Sequence, residues 1–191
     1  VARIKVTVPR TMPLQSCGPG SESEIVIVCD ISGSMGCRDD GSLHTRRELV
    51  CQELALECDK LLKYPEAFKK AGIVGLNDTF TLTIVGFHSS ASYTCERIPL
   101  EREHVEAAVS AFRRRSDSGG TTYASWAKLL RSTPRADKVA LCLLTDGALW
   151  DRSDFVREYD LLKNKVNEFA ACAIGCGAWA VSYTHLRAHE T

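Results

Sequence analysis

Apolar and polar positions along this chain alternate between two regimes. Four runs are continuously apolar or rich in β-branched residues: Ile25-Val26-Ile27-Val28-Cys29, Thr79 to Phe87 (TFTLTIVGF), Val139 to Thr145 (VALCLLT) and Phe169 to Ile174. Their length and composition predict strands buried on both faces of a parallel sheet. A shorter strand is expected near Ala91 to Thr94. Between the runs, apolar residues recur at helical spacing. Val50, Leu54, Cys58 and Leu61 predict a helix from about Thr45 to Lys63, with Glu53, Glu57 and Lys60 on its outer side. Tyr64-Pro65 should end it, because the residue before proline avoids helical angles. Val105, Ala108, Val109 and Phe112 mark a second helix, and Phe155, Tyr159, Leu162 and Val166 another. A short helix is expected from about Tyr123 to Arg131, after the break at Ser118-Gly119-Gly120.

Strands alternating with amphipathic helices predict an α/β fold. The expected architecture is a Rossmann-like, doubly wound, mainly parallel sheet flanked by helices on both faces. Ligands of such sheets bind beyond the carboxyl ends of the strands. The polar loops holding Asp30, Thr121 and Asp146 should all lie at that edge. Residues 25–180 form the expected domain. Residues 1–24 read as an N-terminal strand (Ile4, Val6 and Val8 alternate) and a linker (Pro9, Pro13, Pro19), the remnant of an upstream region. The tail 181–191, VSYTHLRAHET, breaks the alternation and resembles a translated sequencing adapter. It is left out of the fold argument, His185 and His189 included.

Composition narrows the function classes. Twenty-four basic and 24 acidic residues balance to zero formal charge. That gives no electrostatic reason to expect nucleic acid or an anionic membrane as partner. The run Arg113-Arg114-Arg115 fits a helix C-terminus, where cations meet the negative end of the dipole. No apolar stretch approaches the roughly 20 residues a membrane helix needs. The nine cysteines are odd in number, and Cys29, Cys142 and Cys172 sit inside apolar runs as small hydrophobes. That usage leans towards a reducing, intracellular compartment. Cys172 and Cys176 lack the second Cys/His pair of a zinc site. Asn77-Asp78-Thr79 fits a glycosylation sequon, a triplet that often arises by chance.

The chemistry concentrates in three places. Asp30-x-Ser32-x-Ser34 presents a carboxylate and two hydroxyls from one tight loop, Thr121 adds a hydroxyl, and Asp146 adds a second carboxylate. All are hard oxygen donors, suited to Mg²⁺, or to Ca²⁺ or Mn²⁺, and not to zinc or copper. Five side chains, some acting through water, would leave an octahedral ion a position for a visitor. Read singly, Asp30 is a strand-end turn acid and the serines cap the next helix. Thr122 competes with Thr121 for the hydroxyl role.

Asp30-Ile31-Ser32-Gly33-Ser34, then Gly120-Thr121, then Leu144-Thr145-Asp146-Gly147, resemble the metal-ion-dependent adhesion site of von Willebrand factor A domains. Order and approximate spacing match from Ile25 to Gly177, and Phe87-His88-Ser89-Ser90-Ala91 is similar to the family's segment after its second strand. The resemblance implies direct metal contacts from Ser32 and Ser34, largely water-mediated contacts from Asp30 and Asp146, and a switching contact from Thr121. It implies a protein ligand that completes the shell with an Asp or Glu carboxylate, and a fold that, with the adapter-like tail set aside, is truncated before the family's last helix and strand. In integrin β-type members a paired aspartate after the serines holds a neighbouring cation. Here Asp39-Asp40 falls two residues too late and is expected to be solvated. Asp151 and Asp154 are expected as turn and N-cap residues, and His88 and His104 as surface or strand-end residues.

The function expected is divalent-cation-dependent protein–protein interaction, without nucleic acid or membrane insertion. The alternatives are a structural scaffold whose metal engages no ligand and, lower, a metal-assisted hydrolase. No Walker loop, G-x-G-x-x-G or H-E-x-x-H motif occurs, and no further base sits recognisably near the site. The chain is therefore expected not to be an enzyme.

Overall fold

Strands β1 (Glu22–Asp30), β2 (Thr79–Phe87), β3 (Ala91–Pro99), β4 (Lys138–Thr145) and β5 (Glu168–Ala173) form one sheet in the order β3-β2-β1-β4-β5. The computed structural model describes residues 21–70, 78–116, 119–146 and 150–173. Residues 1–20 of the expected N-terminal strand and linker, Asn77, Ile174, Cys176 and the tail 181–191 lie outside the described residues. Every neighbouring pair runs parallel except β2 and β3. The predicted α/β architecture is therefore present.

Among the described residues five helices flank the sheet: α1 (Arg46–Leu61), α2 (Tyr64–Lys70), α3 (Arg102–Arg113), α4 (Tyr123–Ser132) and α5 (Arg152–Leu162). The two-residue period of the strands divides the core. Ile27, Cys29, Leu82 and Ile84 pack on Val50, Leu54 and Cys58 of α1 and on Val105 and Phe112 of α3. Val26, Val28, Val85, Phe87, Leu141 and Leu143 face Tyr123 and Trp126 of α4 and Phe155 of α5. Strands buried on both faces read as unbroken apolar runs, which is why they were recognisable.

Several boundaries differ from expectation. β1 begins at Glu22 because its acidic start is neutralised: Arg97 pairs with Glu22, and Arg135 pairs with the fully buried Glu24 at 2.7 Å. β3 extends to Pro99 through a register shift near Arg97, whose φ is +46° and whose N–H donates to Thr83 Oγ1 at 2.9 Å. Such a bulge also keeps an edge strand from pairing further. α1 ends at Leu61, ahead of Tyr64-Pro65, and Tyr64 itself opens α2 although it precedes proline, which is tolerated in a first helical turn. Val166 follows a 3-10 turn beyond α5 and still packs on the second core.

From β1 the chain builds outward to β2 and β3, then returns to place β4 on the other side of β1. The direction of winding thus reverses between β1 and β4. Crossovers leave on opposite faces at such a point, opening a crevice at the strand ends. Asp30 closes β1 there, and Asp146 directly follows β4.

Candidate functional site

The loop after β1 is fixed before any ligand is considered. Ile31 N–H donates to Phe87 O at 2.8 Å, carrying β1's pairing one residue further, and Ser32 N–H turns back to Asp30 Oδ1 at 2.8 Å. A 3-10 turn, Gly33–Gly36, follows, with Met35 sealed into the first core. Ser32 and Ser34 lie two residues apart on this turn with their Oγ atoms 3.1 Å apart.

The loop before α4 is stitched to the same place. Gly33 N–H donates to Gly119 O at 3.0 Å, and Thr122 N–H donates to His88 O at 2.9 Å. Gly119 has a φ of +72°, and a Cβ there would meet Ser89 Oγ at 3.2 Å. Both facts favour glycine at this approach. Thr121 is half-buried within the short span between these bonds. Thr122 is the N-cap residue of α4 but makes no side-chain cap.

That cap comes from elsewhere. Asp151 Oδ1 accepts from Tyr123 N–H at 3.0 Å and Oδ2 from Ala124 N–H at 2.8 Å. Asp151 stands at the N-cap of α5, as expected, yet makes no side-chain bond to that helix. Its carboxylate serves α4 instead, and so ties the loop after β4 to the loop carrying Thr121. Asp154 lies in the first turn of α5, exposed and paired with Arg157.

Asp30 is completely buried and both of its oxygens are engaged: Oδ2 accepts from Thr145 Oγ1 at 2.9 Å. Tyr123 Oη lies 2.6 Å from the same Thr145 oxygen. A hydroxyl has one proton to give, so Tyr123 donates to Thr145 while Thr145 donates to Asp30. Burial pushes the Asp30 carboxyl above its usual range; the bonds from Ser32 and Thr145 oppose this, and the charge of Asp146 adds to it. Two acids therefore share one poorly hydrated corner.

Asp146 is answered on one side only. Arg46 Nη1 donates to Oδ2 at 3.0 Å, while Oδ1 is buried with no hydrogen-bond partner. The same guanidinium holds Asp39 Oδ1 through Nε at 3.0 Å and Nη2 at 2.8 Å. This corrects the expectation for Asp39: its side chain is 12% exposed and ion-paired, because α1 begins with an arginine facing the loop. Asp40 is exposed, as expected. His88 Nδ1 contacts Ser89 Oγ, and His104 lies on the exposed side of α3 near Glu101.

The structure thus brings Asp30, Ser32, Ser34, Asp146 and the segment holding Thr121 to one edge. Thr145, Tyr123 and Arg46 were not singled out from sequence, and Asp151 was expected as a turn or N-cap residue without its part in tying the two loops. Thr145 sits inside the Leu144-Thr145-Asp146-Gly147 motif, but the roles of the other three become visible only when distant segments meet. Among the described residues no three His, Cys, Asp or Glu side chains gather as a metal cage. Any ion here would rest on hydroxyls and water as much as on carboxylates. The orphaned Asp146 Oδ1 and the close pair of serine hydroxyls fit such an ion.

Comparison with solved structures places this architecture. A von Willebrand factor type A protein from Catenulispora acidiphila superposes with a TM-score of 0.56 at 21% identity, over 82% of this chain and 34% of that one. The chain has the fold of a von Willebrand factor type A domain. The conserved hypothetical protein BatB from Bacteroides thetaiotaomicron gives a TM-score of 0.55 at 18% identity, over 78% of this chain and 64% of its own. The PilB minor pilin from Streptococcus sanguinis gives 0.51 at 18% identity, over 69% and 31%. The chain spans less than two thirds of the length of each of these. No family model matches the chain, and no curated protein does. No helix among the described residues is long and apolar enough to cross a membrane.

Proposed function

We propose that this von Willebrand A fold is a protein-interaction module working through a divalent cation, Mg²⁺ or alternatively Ca²⁺ or Mn²⁺. Ser32 and Ser34 would hold the ion directly, Asp30 and Asp146 chiefly through water, and Thr121 from the facing loop. The observation that carries this reading is the buried, unpartnered Oδ1 of Asp146, at the same strand-end edge as the paired serine hydroxyls. A buried carboxylate oxygen without a partner is costly, and a cation or its water removes the cost. An ion held mainly by neutral hydroxyls keeps net positive charge, which suits an Asp or Glu carboxylate of a protein ligand.

Two exposed apolar side chains support a protein as that ligand. Leu43, between Asp39 and α1, and Trp150, beside Asp151, are each 84% exposed on loops next to the site. Tryptophan is over-represented among residues that dominate binding energy. The pilin among the structural neighbours is in keeping with this reading. We assign no catalytic role, and no nucleic acid or membrane partner.

The reading is tested with immobilised peptides of one neutral sequence bearing a single glutamate or, as control, glutamine. Capture of the protein by the glutamate peptide in Mg²⁺, lost in chelator and absent with glutamine, supports it. Equal capture in chelator refutes the metal-bridged mechanism, and metal-dependent hydrolysis of a phosphoester lost in Asp30→Ala would make the chain an enzyme.

A second reading, a scaffold whose cation engages no ligand, draws on Arg46. Its pairing with Asp146 already supplies positive charge at the site without any ion. On that reading neither peptide is captured although cation binds.

A further inference from the structure

Arg46 is the first residue of α1, and everything about its placement is fixed. Its N–H donates to Cys37 O at 3.0 Å, and the helix start is locked by the reciprocal Thr45–Glu48 capping box. Its guanidinium is three-quarters buried and spans two carboxylates unequally. Nε and Nη2 both grip Asp39 Oδ1, whereas only Nη1 reaches Asp146 Oδ2. Arginine keeps its charge at every accessible pH.

We infer that Arg46 is a tethered internal cation that competes with the divalent ion for Asp146 and so sets the affinity of the site. This rests on the metal reading above. In the ion-free protein the guanidinium offsets the negative charge that Asp30 and Asp146 place in one buried corner. When an ion arrives, its charge and that of Arg46 repel at short range in a medium less polarisable than water. Arg46 can yield the single bond to Asp146 and keep both bonds to Asp39. Asp39 thus acts as a parking place: it holds the arginine when the ion takes over Asp146. The geometry gives opposite signs to two substitutions that a purely structural role would move together. Removing the arginine charge strengthens ion binding. Removing the charge of Asp39 leaves Arg46 with Asp146 as its one remaining anionic partner of the two, and weakens it.

The test is calorimetric titration of MnCl₂ and MgCl₂ into wild type, Arg46→Met and Asp39→Asn, with melting temperatures taken in chelator. Arg46→Met should melt lower than wild type without the ion, yet bind Mn²⁺ about tenfold more tightly, a step of the size expected for one partly screened like charge nearby. Asp39→Asn should bind several-fold more weakly. Arg46→Lys retains a charge and should stay near wild type; it and Asp39→Asn still decide the matter if Arg46→Met does not fold. Unchanged or weaker binding in Arg46→Met, or weakening in both Arg46→Met and Asp39→Asn, overturns the competition. A wild type that binds no ion overturns the metal reading itself, and this inference with it.

Discussion

Thr145 donates its hydroxyl proton to Asp30 at 2.9 Å, joining the carboxyl ends of two neighbouring parallel strands, β1 and β4. Tyr123 backs this bond from α4 at 2.6 Å. The relay holds Asp30 Oδ2 in place while Ser32 N–H holds Oδ1, so that the acid's orientation is set by the sheet as well as by its own loop.

Thr145→Val keeps the shape of the side chain and removes the link between Tyr123 and Asp30. It should cost about 2 kcal/mol, the penalty for buried polar groups that lose a partner. Tyr123→Phe removes only the outer bond and should cost about 1 kcal/mol. Urea unfolding of the two variants in chelator checks the order.

Asp151 belongs to no expected ligand set, yet it fastens two loops of the site. Asp151→Ala frees the N–H groups of Tyr123 and Ala124 and should cost about 1 kcal/mol, as for other lost caps. Because Thr121 directly precedes this helix start, cation binding should also weaken although no ligand is altered. An affinity equal to wild type would mean that the Thr121 loop is held without Asp151.

Glu24 and Arg135 form a buried pair near the opposite, amino-terminal edge of the sheet, where Glu24 also accepts from Thr83 Oγ1 at 2.6 Å. Arg135→Met strands a buried carboxylate and should cost about 3–5 kcal/mol. The double variant Arg135→Met, Glu24→Gln should recover much of that. Chemical denaturation of the single and double variants measures the recovery, and folded double variant should bind cation as wild type does.

Thiol reactivity should divide by depth. Burial pushes the Cys58 thiol up to about 12 and the Cys95 thiol up to about 11. Both stay protonated at pH 8, whereas Cys37 is exposed and should alkylate first among the described cysteines. The sign for stability follows from a folded value above the unfolded one. The neutral thiols' contribution is intact below pH 9 and is lost as pH rises through about 11 to 12. Peptide mapping after brief alkylation, and melting temperatures of wild type and Cys58→Ala above pH 9, test both statements.

The sheet was legible because β1, β2 and β4 are buried on both faces, so their apolar runs are long and uninterrupted. Elements whose stability comes from pairing between charges were harder. Glu22 and Glu24 look like linker residues until Arg97 and Arg135 stand beside them, and the polar half of β3 depends on the same partners. The start of α1 near Thr45 was read from the apolar spacing, and its Thr45–Glu48 capping box came to light in the structure. The five expected metal residues were legible as a pattern of oxygen donors on three loops. The site roles of Arg46, Tyr123 and Asp151 were not, because a side chain that reaches another segment leaves no periodicity in its own.

Calorimetric titration of Mn²⁺ and Mg²⁺ into the wild-type chain and into Ser32→Ala, Ser34→Ala tests the central claim most directly. The account predicts saturable binding in wild type, lost or strongly weakened in the serine variant while its circular dichroism remains that of the folded protein. No saturable binding, or equal binding in the serine variant, would contradict the assignment of this strand-end edge as a cation site.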